Sequence, residues 1–433
     1  MIGFLAKGLL RDRSRSLFPF IVVALGVMLA VFLYSWIQGE LAGTVGSVAR
    51  LATGHVKVMS RAYAREADQI PNDLAYIGVS DLLAELRRSY PDMTWTPRIR
   101  FGGLLDVPDE NGETRAQGPA AGLAVDLLSP NAPEPGILNL AKAVTQGRLP
   151  QARGEILVSS EFARRLGIKP GSVATLFGST MYGSTASANF TVVGLVRFGV
   201  TAMDRGAMIA DIGDIQSALD MTDAAGEIVG YSPNMVYDPV RAKQITDDFN
   251  VGRGGGLAAH EQSKGEDDFA PVMLALRDQN NMDQMIDIHA SMTGIIVAIF
   301  LTAMAIVLWN AGLLGSLRRY GEFGVRLAIG EAKGHLYRSL LGESLLIGLA
   351  GSVAGTLVGV LISWILQTHG FNVAGMMRNS SIMMPEVIRA RVTPLSWIVG
   401  FAPGVLATIV GAAISGLDIF RRETAKLVKE LET

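Results

Sequence analysis

"FPFIVVALGVMLAVFLYSWI" (Phe18–Ile37) decides the fold, because it carries no charged residue and almost no polar one. About 20 apolar residues are what an α-helix needs to cross the hydrocarbon core of a bilayer. Ser16 to Gly39 holds no Asp, Glu, Lys or Arg, and three further windows repeat the pattern: Ile288–Leu317, Ser344–Met377 and Val392–Leu417. Four spans are expected, at 17–40, within 271–317, at 340–366 and at 395–417. The first reads as an uncleaved signal anchor, since its apolar core is long for a signal peptide.

Working outward, Lys and Arg gather beside alternate span ends. Lys7, Arg11, Arg13 and Arg15 precede the first span, Arg318, Arg319, Arg326, Lys333 and Arg338 follow the second, and Arg421, Arg422, Lys426 and Lys429 follow the fourth. The positive-inside rule places all three clusters in the cytosol, together with both termini. A cytosolic amphipathic segment is then expected at 1–16, a cytosolic tail at 418–433 and a short external loop at 367–394. That loop contains "HGFNVAGMMRNSSIMMPEV", whose methionines can adapt to varied apolar partners.

Residues 41–270 lie on the far side and read as a soluble α+β domain, with its mixed short strands and helices compatible with two subdomains. "GHVKVMS" (Gly54–Ser60) alternates as a strand, "VSDLLAELRRSY" (Val79–Tyr90) has helical spacing, and "GEILVSSEFARRLG" passes from strand to helix, with Glu161 where an acid suits the helix dipole. "VGRGGGLAAHEQSKGEDD" (Val251–Asp268) reads as a linker. Beyond it the pattern stays helix-compatible, with no Gly or Pro from Val272 to Thr293, so the second span is expected to begin outside the membrane as a stalk within 271–317.

The chain of 433 residues has mean hydropathy +0.32, net charge −2 and no cysteine. Thiol chemistry and disulfides are excluded, and no basic run interleaved with aromatics suggests nucleic acid as a partner. His55, His260, His289, His335 and His369 are not spaced as metal ligands. The phosphate-loop pattern and the common hydrolase motifs are missing, so no catalytic or cofactor-binding constellation is expected; ATP and magnesium, if used, belong to another chain.

Two patterned features remain. "GSVAGTLVG" sets Gly351, Gly355 and Gly359 on one helical face, where small residues let backbones approach closely, either within this chain or between copies. "RRYGEFGVRLAIGEAKGHLYRSLLGES" (Arg318–Ser344) places Phe323, Val325, Leu327, Ala328 and Ile329 among Glu322, Arg326 and Glu331, with Gly330 as punctuation. A surface helix offered to a cytosolic partner and a segment resting on lipid headgroups both fit that composition.

Glu322-x-Gly324-Val325-Arg326-x-Ala328-x-Gly330, with the following Glu-Ser pair and glycine-rich span, resembles the signature of FtsX-type ABC transporter permeases, which include lipoprotein-releasing (Lol) permeases and MacB exporters. The order of one span, a large periplasmic domain and three further spans fits the same family. The resemblance implies a bacterial inner-membrane permease without ATPase activity, acting as a dimer with a second copy or a paralogue on a dimer of cytosolic ATPases and moving its periplasmic domain by mechanotransmission. It assigns Glu322, Phe323, Gly324, Val325, Arg326, Leu327, Ala328 and Gly330 to a coupling helix within 318–339, and Glu343 to the start of the third span. "LATGHVKVMSRAYAR" is closer to the Lol-type than to the MacB exporters, which also fuse their ATPase to the permease. The implied work is extraction of lipoproteins or other lipidic molecules from the membrane, with a periplasmic chaperone or adaptor as a further partner. The alternatives are an FtsX-like regulator of cell-wall hydrolases and a MacB-like efflux permease working with an adaptor and outer-membrane duct. The stretch matching the chaperone-recruiting hook, Gly178–Asn189, is short.

Overall fold

The computed structural model describes residues 13–199, 201–253, 268–279, 281–318, 325–327, 329–372 and 387–417. In chain order, helix α1 (Arg13–Val48) is followed by strand β1 (Val56–Ser60), α2 (Val79–Ser89), β2 (Thr94–Pro108), β3 (Thr114–Val125) and β4 (Val144–Gly147). Next come β5 (Glu155–Ser159), α3 (Ser160–Leu166), β6 (Val173–Ser179), β7 (Thr185–Val196), β8 (Ala207–Asp211) and α4 (Ile212–Ala218). The chain continues through β9 (Glu227–Tyr231), α5 (Pro239–Val251), β10 (Pro271–Ala275), α6 (Met282–Arg318), α7 (Lys333–His369) and α8 (Pro394–Gly416). Two compact units result, one made of Gly43–Met285 with Asn372–Val387, the other of Met1–Ala42, Ile286–Phe371 and Ile388–Thr433.

The second unit is a helical bundle. Four helical stretches are long and apolar enough to cross a membrane: Leu17–Thr53, Met282–Asn310, Lys333–His369 and Pro394–Gly416. Its core joins Val23, Val27 and Val31 of α1 to Met304 and Leu308 of α6 and Ala407 of α8. Helix α7 begins at Lys333, so the end of the expected coupling segment 318–339 already belongs to this helix.

The first unit is an α+β domain on one ten-stranded sheet, in the order β10-β1-β9-β2-β3-β8-β5-β7-β4, with β6 paired to both β2 and β7. The pairings β2-β3-β8-β5-β7-β6-β2 form a closed circuit, which leaves those six strands few unpaired edges. Local signals set the crossovers. The Ser159 hydroxyl accepts from the Phe162 amide to cap α3, and Asp211 does the same for Gly213 at the start of α4, each satisfying an amide that a helix start leaves unpaired. Within Gly43–Met285, all described strands except two-residue Tyr76–Ile77 and Ala224–Ala225 join the one sheet, so the two-subdomain expectation resolves into a single platform.

The stalk expectation needs correction. Val272–Ala275 is not helical: it is part of β10, paired antiparallel with β1 from Val56↔Ala275 to Ser60↔Pro271. The Asn250 side chain both accepts from the Met273 amide and donates to its carbonyl, and Gln279 donates to the Leu274 and Ala275 carbonyls. Asn281, at φ 54°, turns the chain, and α6 starts at Met282. A short apolar run cannot be assigned by periodicity alone, and here strand pairing decided it.

Thus the two chain segments adjoining the membrane helices meet the domain as neighbouring strands. Around that root, Val48, Ala49 and Ala52 pack with Leu276 and Met282, while the Tyr231 hydroxyl donates to the Ala49 carbonyl. Every residue of β1 is buried, Lys57 included. The Lys57 ammonium lies 2.8 Å from Glu227, and Arg98 binds Glu134 through two bonds of 2.7 and 2.8 Å, all four side chains being nearly inaccessible. Burial pulls the Lys57 amine below its ordinary range while Glu227 opposes that pull. Buried pairs of this kind add little net stability, but removing one partner strands a charge.

His55 sits between the Tyr231 and Tyr237 rings, and its Nδ1 accepts the Ser232 amide at 2.9 Å. An accepting Nδ1 requires a neutral ring with its one proton on Nε2. Burial, reinforced by the Arg50 charge, lowers its pKa from 6.5 to about 4. The unfolded chain therefore takes up a proton that the folded chain refuses, so stability is constant above pH 6.5 and falls between 6.5 and 4. The loss expected from this one group is ~3 kcal/mol. Thermal melts of the full chain should show it as an acid-side decline that His55→Gln reduces; equal declines in both proteins would contradict the assignment.

Candidate functional site

The loop between α6 and α7 is described at residues 325–327 and from Ile329 onward, while Glu322, Phe323, Gly324 and Ala328 lie outside the described residues. Val325, Arg326 and Leu327 are helical. The Ile329 amide donates to the Val325 carbonyl at 3.0 Å, closing the turn. Gly330 then donates to the Leu327 carbonyl, Glu331 donates to the Arg326 carbonyl, and Gly330 stands at φ 97°. Those two bonds across a left-handed residue form a Schellman motif, which stops a helix and satisfies its last carbonyls. A side chain would be strained at that φ, which explains the glycine.

What this turn displays matters more than how it ends. Ile329 is 81% exposed and Val325, one turn earlier, is 50% exposed, with the Arg326 side chain exposed between them. Two exposed aliphatic side chains thus stand beside a cation. Ile329 was absent from the motif residues, since it falls at an unspecified position between Ala328 and Gly330. Glu331 meets His335 at 2.7 Å as α7 begins. Glu343 sits half-buried within α7, three turns beyond the helix start.

Gly351, Gly355 and Gly359 of α7 all face α1 of the same chain. A methyl group built on Gly355 would fall 2.4 Å from the Ala24 carbonyl oxygen; on Gly351 it would fall 2.9 Å from Val23 Cβ; on Gly359, 2.9 Å from the Met28 carbonyl oxygen. The close approach is therefore internal, and the alternative that the face pairs two copies has no room here. Helix α8 uses the same device against α7, with Gly404 facing the Ser352 hydroxyl and Gly400 facing Thr356. Helix α8 meets α6 where Gly411 lies against Leu308 and the Trp309 amide.

In the α+β domain, β6 and β7 form a hairpin whose turn, closed by the Thr180 amide donating to Ser184, carries Tyr182 at its tip. The hook-like stretch Gly178–Asn189 is thus a tight turn with its flanking strands. The methionines Met376, Met377, Met383 and Met384 lie outside the described residues, as do 1–12 and 418–433. Among the described residues no group of three or more His, Asp or Glu could hold a metal ion.

Comparisons with known proteins match this architecture in two pieces. A family described as the MacB-like periplasmic core domain matches residues 20–249, and one described as the FtsX-like permease C-terminal matches residues 294–424. The lipoprotein-releasing system transmembrane protein LolC from two strains of Xylella fastidiosa is 21% identical over 217 residues, which is 49% of this chain and 48% of those proteins. The chain therefore aligns with about half the length of the curated relatives it matches. A crystal structure of the periplasmic region of MacB from Actinobacillus actinomycetemcomitans is similar at 13% identity and a TM-score of 0.36, covering 55% of this chain and 95% of that one.

The glycine contacts make a direct prediction. Gly355→Leu should destabilise the bundle by about 2 kcal/mol or more, since bulk forced into a packed contact holds backbones apart. Leu357→Ala, at a 54% exposed position on the same helix, should be nearly silent. Thermal inactivation in detergent measures both, and equal effects would show that the glycine face is not a tight contact.

Proposed function

Because this chain belongs to the multi-pass inner-membrane permeases that join a MacB-like periplasmic core to an FtsX-like C-terminal segment, we propose that it is the membrane subunit through which a separate ABC ATPase drives the release of lipid-linked proteins. The observation that carries the coupling part is the turn at 325–330. It places Val325, Arg326 and Ile329 in water on a helix ended by Gly330, a surface with apolar area and charge but no cover among the described residues. A groove on a cytosolic ATPase would bury it. Glu322, Phe323, Gly324, Leu327 and Ala328 complete the same docking segment in this reading. ATP and magnesium would be held by that partner, and this chain would pair with a second copy or a paralogue.

The substrate class draws support from the lipoprotein-releasing relatives and from the domain placed between the first two spans. The short 180–184 turn offers no long arm for a soluble chaperone, so this chain would handle the membrane step and leave carrier recruitment to its partner subunit. Both termini and the coupling turn would lie in the cytosol, following the basic clusters at the span ends.

Ile329→Asp and Arg326→Glu test the docking face. Fully desolvated anchors at an interface are worth about 2 kcal/mol or more each, so either change should cut ATPase co-purification and permease-stimulated hydrolysis at least several-fold. Membrane insertion and thermal stability should stay unchanged. If both variants bind and stimulate the ATPase like the parent chain, the turn is not the coupling element.

A further inference from the structure

The segment that leads into α8 carries an unexpected pair of cations. Arg389 and Arg391 lie just before α8, at the end opposite the basic clusters of the termini and the coupling turn. Basic residues close to a span end are disfavoured on that side, so two of them, placed two residues apart, call for a reason.

The local structure fixes where they point. Residues 388–391 run extended across α1, with the Arg391 amide donating to the Ser35 carbonyl at 2.8 Å. Gly39 makes room for this crossing, since a methyl group there would overlap the Arg389 carbonyl oxygen. Side chains alternate along an extended strand: Ile388 and Ala390 are buried, and Arg389 and Arg391 both emerge. Arg389 Nη1 donates to the Gln367 and Thr368 carbonyls at the end of α7, at 3.4 and 3.0 Å, and holds the segment there. Among the described residues no carboxylate pairs with either arginine. The nearby Glu40 is taken by His289, 2.9 Å away.

Aromatic residues mark the level as the membrane–water interface. Trp36 of α1 lies edge-on to Phe371, with ring centres 6.1 Å apart, and Trp364 and Trp397 sit exposed near the same ends of α7 and α8. Tryptophan collects at the headgroup level of bilayers. Neither guanidinium pairs with a carboxylate among the described residues, and arginine matches phosphate in a two-pronged geometry that lysine lacks.

We propose that Arg389 and Arg391 form a seat for the phosphate of an anionic phospholipid headgroup, at the bilayer surface from which the α+β domain emerges. The seat anchors the α7–α8 crossing to the bilayer while α1 and α6 lead away into the domain. It rests on the orientation proposed above for naming the leaflet, but the ligand chemistry does not depend on that orientation.

The full chain reconstituted in symmetric bilayers provides the test, with brominated phosphatidylglycerol or brominated phosphatidylcholine quenching tryptophan fluorescence. The parent chain should prefer phosphatidylglycerol, by about five-fold per arginine if each gains the ~1 kcal/mol typical of a basic side chain at an anionic surface. Arg389→Gln with Arg391→Gln should remove the preference. Arg391→Gln alone, which breaks no bond described here, should lower it and keeps the test valid if the double variant folds poorly. Inorganic phosphate in millimolar excess should leave the preference intact. No preference in the parent chain, a preference surviving both substitutions, or its abolition by inorganic phosphate would each overturn the proposal, the last by revealing a soluble-anion site. No ATPase enters the measurement, so failure of the coupling reading leaves this result unaffected.

Discussion

The antiparallel ladder between β1 and β10 is the constraint on which the remaining structure depends. Both strands adjoin membrane helices in sequence, β1 after α1 and β10 before α6, and they are hydrogen-bonded side by side over five residue pairs. A ladder cannot slide by a fraction of a residue, and slipping it by one would turn every side chain to the opposite face. For β1 that would carry Lys57 away from Glu227 and leave both charges buried without partners, which is costly. A shift of β1 against β10 is therefore not absorbed within the ladder.

The bundle distributes its packing unequally. Glycines on α7 meet main-chain atoms of α1, and Gly400 and Gly404 of α8 meet side chains of α1 and α7, so α1, α7 and α8 interlock closely, while Gly411 meets the main chain of α6. In the apolar window of α6 only 12% of residues are buried, against 28–39% in the other three spans. Helix α6 is the span least held by its own chain. It also runs without interruption from Met282 to Arg318, between β10 and the segment that leads to the 325–330 turn. A push received beyond Arg318 has a continuous helix to travel along.

Much of this was legible from residues alone, for definable reasons. Charge-free windows longer than a bilayer is thick leave no alternative to spanning helices, and glycines at Gly351, Gly355 and Gly359 leave little alternative to a close helix contact. Which helix fills the contact depends on α1, and nothing in the α7 sequence names it. Val272–Ala275 was misread because four apolar residues fit either period and the deciding partner, Val56–Ser60, lies far away in the chain. The buried pairs Lys57–Glu227 and Arg98–Glu134 were invisible for the same reason: a charged residue on a strand looks solvated until the elements covering it are known. Ile329 was named among the apolar residues of the segment but left out of the coupling residues because the motif skips it, although its exposure makes it the most prominent apolar side chain of the turn.

In the proposed coupling, events at the 325–330 turn move the α+β domain through α6. The chain has no cysteine, so Tyr182→Cys, at a 75% exposed hairpin tip, gives one spin label per copy. The distance between labels in the paired permease should change between the nucleotide-free and ATP-trapped complexes. Two glycines inserted after Met285, in the polar first turns of α6, should abolish that change while ATP hydrolysis continues, because each glycine weakens a helix by roughly 1 kcal/mol and frees its backbone. A label distance indifferent to nucleotide, or a change that survives the insertion, would contradict the account.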